Sequence, residues 1–215
     1  MHESGHEWFA NSITYEDIAD MWIHESFTNY SENLYLEYYY DKKAGSEYVL
    51  GTRKNISNDR PIIGTYNVNS RGSHDMYYKG GNMLHTLRQI INDDEKWRSI
   101  LRGLNRDFYH KVVKSSQIEN YLTEKTGINL QPFFDQYLRD IRIPVFEYYI
   151  KGKELSCRWN NCVPGFDMPV KIDVSGHTMI LNPTEFFKTV QLKTRNGVVK
   201  VDPGWYVASM NMTGK

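Results

Sequence analysis

Cysteine is scarce in this 215-residue sequence: only Cys157 and Cys162 occur. With no second Cys or His pair near them they do not form a zinc knuckle. They are expected to be free thiols, with a disulfide closing a small hairpin loop as the alternative. Charge of neither sign is in excess. Lys plus Arg and Asp plus Glu each total 26, so the strong basic surplus of a nucleic-acid-binding domain is missing. No apolar run approaches the ~20 residues of a membrane-spanning helix. Met1-His2-Glu3 does not read as the opening of a secretory leader. Internal repeats and low-complexity tracts are also lacking. Aromatic residues are plentiful, with 16 Tyr, 9 Phe and 5 Trp. They supply core material and, through the phenols, hydroxyls to line a cleft.

The hydrophobic pattern changes at Pro144. Before it, a short helix is expected over residues 2 to about 10, ending at Asn11-Ser12. A long one is expected over 16–43, where Ile18, Met21, Trp22, Phe27, Tyr30, Leu34 and Tyr38 recur at helical spacing. Further helices are expected at about 45–53, 76–92, 94–109, 116–126 and 130–140. Ser116-Gln117-Ile118-Glu119 has the form of a capping box. Gly127 reads as a helix stop, and Pro132 and Phe133 as a helix start. Residues 55–75, rich in Asn, Ser, Gly and Arg, read as a long ordered loop. After Pro144, short β-type segments at 145–150, 153–159, 168–174, 177–181, 186–193, 197–201 and 205–208 are separated by Pro-, Gly- and Asn-containing turns. Such spacing predicts a small β-sandwich. The fold class is therefore α+β, with a helical domain over 1–143 and a β-sandwich over 144–215.

His2-Glu3-Ser4-Gly5-His6 is an H-E-x-x-H sequence. On a helix, positions i and i+4 share a face, so both imidazoles can reach one ion. Glu3, between them, is placed to take a proton from a water that zinc has acidified. Hydrolytic zinc sites commonly add a carboxylate to two His and leave a position for water. Glu25 fits that role: 18 residues separate it from His6, enough to finish one helix and bring a second alongside.

The segment HESGHEWFANSITYEDIADMWIHESFTNY resembles the core of the M1 zinc aminopeptidases, which are gluzincins. Trp8, Phe9, Asn11, Trp22, Glu25, Phe27 and Tyr30 match that family's pattern. The resemblance implies that His2, His6 and Glu25 are zinc ligands and that Glu3 is the general base. His24 and Ser26 stand where the family often has Asn and Gly. Tyr77-Tyr78-Lys79-Gly80-Gly81 is similar to the family's Y-x-K-G motif, which gives Tyr77 the task of donating a hydrogen bond to the oxyanion. His24 is expected to stand behind the ligands and His74 to line the cleft. His85, His110 and His177 are expected to be structural or on the surface.

The resemblance covers about residues 1–143. It implies the helical half of a thermolysin-like catalytic domain followed by a β-sandwich, with zinc as cofactor and a peptide as substrate. An M1-like epoxide hydrolase and a non-catalytic M1-like zinc scaffold share these residues and stay open as alternatives. The family's upstream G-x-M-E-N motif, whose Glu helps bind the substrate's free amino group, has no counterpart here. From this the chain is expected to be a fragment. Its metal helix lacks a preceding turn, so it should bind zinc weakly or not at all, show negligible peptidase activity alone, and present surface open to self-association.

Overall fold

The computed structural model describes residues 1–214 and divides into two compact units, Met1–Ile141 and Arg142–Lys215. The break falls between Ile141 and Arg142, against 143/144 read from the sequence.

The first unit runs through α1 (His2–Gly5), β1 (Ile13–Tyr15), α2 (Trp22–Tyr39), α3 (Lys42–Gly51), α4 (Tyr78–Ile91), α5 (Asp94–Asp107), β2 (Lys111–Val113), α6 (Ser115–Thr126) and α7 (Gln131–Phe134). A π-helical turn over Asp135–Arg139 continues α7. Two of the expected helices are shorter than their periodicity suggested. Regular helix ends at Gly5, and the chain unwinds through wide turns, Asn11 N–H to His6 O and Ile13 N–H to Trp8 O, into β1. The expected long helix over 16–43 resolves into a 3-10 turn at Ile18–Asp20 and α2, which ends at Tyr39. Ahead of it, in the gap between the two expected helices, stands a strand that the sequence did not suggest. Ile13-Thr14-Tyr15 pairs in parallel with Lys111-Val112-Val113, a partner far away in sequence that local periodicity does not reveal. Asp41 then restarts the helical path as the N-cap of α3, its carboxylate accepting from the Ala44 N–H.

The start of α6 also differs from expectation. The helix begins at Ser115, and the Gln117 side chain accepts from the Lys114 N–H. Ser116 and Glu119 form no capping box. Glu119 instead accepts from the Ser115 hydroxyl and pairs with Arg139. Gly127 does end the helix, with φ of 73°. Residues 55–75 form an ordered loop. Asp75 accepts from the backbone N–H groups of Ser57 and Asn58, and the Ser73 hydroxyl donates to Asp59.

At the centre of this unit α2 packs against α1, α3 and α4. It is buried from Trp22 to Tyr30, yet that stretch includes His24, Glu25, Ser26, Thr28 and Asn29. Buried polar residues carry more information than buried apolar ones, because each needs a partner or a task. Arg88 has a structural task. Only 4% exposed, it grips both oxygens of Glu37 at 2.6 and 2.8 Å and Asp94 at 2.8 Å, tying α4 to α2 and α5.

Arg88→Met is expected to cost about 2 kcal/mol of stability at pH 7, because it breaks a network around a buried guanidinium and leaves two partly exposed carboxylates unpaired. The hydrogen bond from Arg88 holds the Asp94 carboxyl well below the usual carboxylate range. That part of the stability is complete above ~3.9, the ordinary Asp value, and fades as pH falls through the lowered folded value. Urea melts of both proteins at pH 7 and pH 3 check this. The gap between them should narrow at pH 3.

The second unit holds β3 (Val145–Lys151), β4 (Glu154–Asn160), β5 (Val170–Val174), β6 (His177–Leu181), β7 (Lys188–Gln191), β8 (Val199–Val201) and β9 (Ala208–Asn211). The last strand lies later than the expected 205–208. The strands make a four-stranded sheet, β7-β4-β3-β9, and a three-stranded one, β6-β5-β8. Their pairing is antiparallel except for β3 with β9. Alternate residues turn inward, as the pleat requires: Leu155, Cys157 and Trp159 on β4, and Val170, Ile172 and Val174 on β5. Trp159 meets Phe146 and Phe166 edge to face. Cys157 is buried in this core and both cysteines are free thiols. Among the described residues no helix is long and apolar enough to cross a membrane.

Candidate metal centre

The N-terminal helical turn lies along α2 because both partners permit close approach. A Cβ at Gly5 would come within 2.9 Å of Thr28 Cγ2, so the backbone of the H-E-x-x-H segment sits directly against α2. That contact brings His2 and His6 over the first turns of α2, where Glu25 projects. One ligand atom from each of His2, His6 and Glu25 lies within 4.8 Å of the others. Glu25 Oε2 is 3.3 Å from His2 Nε2 and 3.6 Å from His6 Nε2. Three ligands at bond lengths of ~2.0–2.2 Å around a tetrahedral ion would stand ~3.4 Å apart. The two distances to Glu25 are those expected of such a site.

The far side of each imidazole is engaged. His2 Nδ1 lies 3.0 Å from Glu32 Oε1. His6 Nδ1 lies 3.0 Å from the Phe9 carbonyl oxygen and 3.2 Å from Thr28 Oγ1. A carboxylate and a carbonyl accept only, so they favour a proton on each Nδ1 and leave the Nε2 lone pairs facing Glu25. Glu25 itself is buried, with 5% exposure, whereas Glu3 is exposed on α1. The residues present fit a divalent ion of the zinc type in number, chemistry and spacing.

Tyr77 completes the cluster. It precedes α4, and its ring lies 5.8 Å from that of His2 and stacks on His74 at 6.1 Å. Burial, then the charge of the nearby Glu25 carboxylate, raises its pKa, and the charge of Glu3 adds to the effect. The phenol thus keeps its proton at neutral pH. The placement depends on Gly80, where a Cβ would fall 1.9 Å from Ser26 Oγ, so α4 rests directly on α2. Ser26 in turn donates to the Met76 carbonyl oxygen at 2.7 Å, fastening the turn before Tyr77 to the helix that carries Glu25. Lys79 is fully buried and donates to the Asp140 carbonyl oxygen; burial pushes its pKa down to about 8. Gly80→Ala is expected to destabilise the protein and to move Tyr77. Its phenol would then lose the influence of Glu25 and titrate closer to ~10 in an ultraviolet titration.

The other histidines are more ordinary. His24 is buried, which lowers its pKa to about 4, and its Nε2 accepts from the Tyr15 N–H at 3.2 Å. It fixes β1 against α2 and makes no hydrogen bond to the ligands. His74 is exposed beside Tyr77, and Arg71 Nη2 approaches its Nε2 at 3.1 Å. His85 is buried, whereas His110 and His177 are exposed. Glu32 and Thr28 were not singled out from the sequence. Glu32 was within reach of it, since seven positions separate it from Glu25 and two helical turns return to the same face.

The peptidase family M1 domain matches residues 1–137. The chain belongs to peptidase family M1. It is similar to aminopeptidase N of Lactococcus lactis subsp. lactis, with 26% identity over 158 residues, 67% of this M1 chain and 18% of the relative. It is also similar to endoplasmic reticulum aminopeptidase 2 of Bos taurus, at 24% identity over 95% of this chain and 22% of the relative. Among solved structures, that of Legionella pneumophila aminopeptidase A in complex with aspartic acid matches with a TM-score of 0.72. That match covers 97% of this chain and 26% of the other at 14% identity, and shows the shared fold. The M1 chain spans about a fifth of the length of the curated relatives it matches.

Proposed function

We propose that this chain carries the zinc-binding part of an M1 aminopeptidase, with His2, His6 and Glu25 as the ligands, Glu3 as general base and Tyr77 as oxyanion donor. The observation that carries this reading is the convergence of two Nε2 atoms and one buried carboxylate oxygen within 4.8 Å of one another, with both Nδ1 atoms facing acceptors. When bound there, zinc supplies a Lewis acid that lowers the pKa of water toward ~7.

The chain's own residues supply the rest. Glu3, exposed and not among the three clustered ligands, takes the proton of the attacking water. It later delivers that proton to the leaving amine nitrogen. Tyr77 keeps its proton and donates a hydrogen bond to the oxygen that becomes negative as the carbonyl carbon turns tetrahedral. A phenol that stays protonated beside Glu25 suits this role, because it stabilises the charge without giving the proton up. The substrate class, a peptide with a free N-terminus, rests on likeness to aminopeptidases rather than on a group in this chain that grips the amine.

Zinc titration of the chain, followed by calorimetry and paired with an aminoacyl-anilide assay, tests the proposal. One zinc per chain is expected, with binding lost in His6→Ala and in Glu25→Ala. Zinc bound equally by these variants would overturn the ligand assignment. The assay measures how much of the hydrolytic machinery these 215 residues hold. Peptidase activity of the isolated chain is expected to be negligible, since the segment matches about a fifth of each relative.

A further inference from the structure

We infer that Glu32, held by Tyr48 and Asn29, is a positioning residue that sets the tautomer and ring orientation of His2. This inference rests on the zinc reading above and names a residue that reading does not use. The Glu32 carboxylate is mostly shielded from solvent and its two oxygens have separate tasks. Oε1 faces His2 Nδ1 at 3.0 Å. Oε2 accepts from Asn29 Nδ2 at 3.1 Å and from the Tyr48 hydroxyl. Three elements thus meet on one carboxylate: α1 through His2, α2 through Asn29 and Glu32 itself, and α3 through Tyr48.

The arrangement has a directional consequence. Asn29 and Tyr48 can only donate to Oε2 in this geometry, so the carboxylate remains an acceptor and Oε1 is left to receive a proton from His2. In the neutral ring that binds a metal, a proton on Nδ1 leaves the lone pair on Nε2, and Nε2 is the atom 3.3 Å from Glu25 Oε2. A partner carboxylate on the far ring nitrogen also makes the imidazole a better electron donor and fixes its plane. His6 uses neutral acceptors instead, the Phe9 carbonyl and Thr28. The two imidazoles are therefore supported unequally, and the charge-assisted support goes to His2. His2 lies on the four-residue α1, which has no side-chain N-cap. Tyr48 exerts its effect one step further away. Burial, with Glu32 next, pushes its hydroxyl well above the ordinary value, so it stays a donor throughout the working range.

The test measures zinc affinity of the whole chain by competition with a chelator, for the wild type, Glu32→Gln, Glu32→Ala and Tyr48→Phe. Circular dichroism and urea melts report folding for each. Glu32→Ala is expected to weaken zinc binding roughly 10–100-fold, Glu32→Gln by less because an amide oxygen still accepts, and Tyr48→Phe by less again. In the zinc-loaded wild type, the proton on His2 Nδ1 should appear as a slowly exchanging low-field resonance correlated with its 15N. It should vanish in Glu32→Ala, a change that a purely structural role would not produce. Zinc affinity and the Nδ1 signal both unchanged in a folded Glu32→Ala variant would overturn the inference while leaving the zinc site intact. Failure of the wild type to bind zinc would instead refute the site reading, and the inference with it.

Discussion

Glu3→Gln is expected to leave one zinc per chain and to remove catalysis. Measured in a polypeptide that carries this segment and hydrolyses an aminoacyl anilide, kcat should fall by roughly 10²–10⁴, the range for loss of a positioned acid–base group. The reason is chemical rather than steric. Gln has nearly the shape of Glu but cannot accept the proton of the attacking water or return one to the departing amine. Metal binding should be spared because Glu3 is exposed and stands outside the cluster of ligand atoms formed by His2, His6 and Glu25. KM should change little. Zinc lost along with activity would show that Glu3 is a ligand or a structural support, and the division of roles among the residues of α1 would have to be redrawn.

Tyr77→Phe removes a single hydroxyl and is expected to lower kcat by roughly 10²–10³, the cost of deleting one oxyanion donor. The variant keeps the ring contacts with His2 and His74, so zinc stoichiometry and melting temperature should hold. The effect should fall on kcat and on kcat/KM alike, since the hydrogen bond gains strength only as charge develops on the substrate oxygen. A rise in KM at constant kcat would mean that the phenol binds the ground state and does not assist the reaction. The neighbour Tyr78 offers an internal control. Likeness to the Y-x-K-G motif, in register with Lys79-Gly80, points to Tyr77 for the proposed role, so Tyr78→Phe should be close to neutral.

Much of the candidate cluster was legible because it is nearly local. His2 and His6 are one helical turn apart, and the distance to Glu25 suits two packed helices. Tyr77 was legible only through likeness to Y-x-K-G, and the structure supplies its physical basis: Gly80 removes the side chain that would keep α4 off α2, and Ser26 fastens the preceding turn. The replacement of Gly by Ser at position 26 is thus accommodated by a hydrogen bond. What the sequence concealed depends on distant partners. Strand β1 exists because Lys111–Val113 lies beside it, and no local pattern in Ile13–Tyr15 outweighs the helical periodicity around it. The capping box at Ser116 failed for a similar reason. Glu119, itself buried, has Arg139 and the Ser115 hydroxyl as partners, and a two-pronged bond to a guanidinium is stronger than a cap on an exposed N–H. Glu32 was recoverable from its place two turns beyond Glu25, but the contact that gives it meaning, with His2, spans 30 positions.

The central claim is that His2, His6 and Glu25 form a single zinc site, and X-ray absorption at the zinc edge tests it most directly. For the chain loaded with one equivalent, the account predicts imidazole scattering from two His and a carboxylate oxygen at ~2.0–2.2 Å in four-coordinate geometry. In His6→Ala one imidazole contribution should disappear. A six-coordinate, all-oxygen zinc spectrum that is the same in wild type and His6→Ala would contradict it.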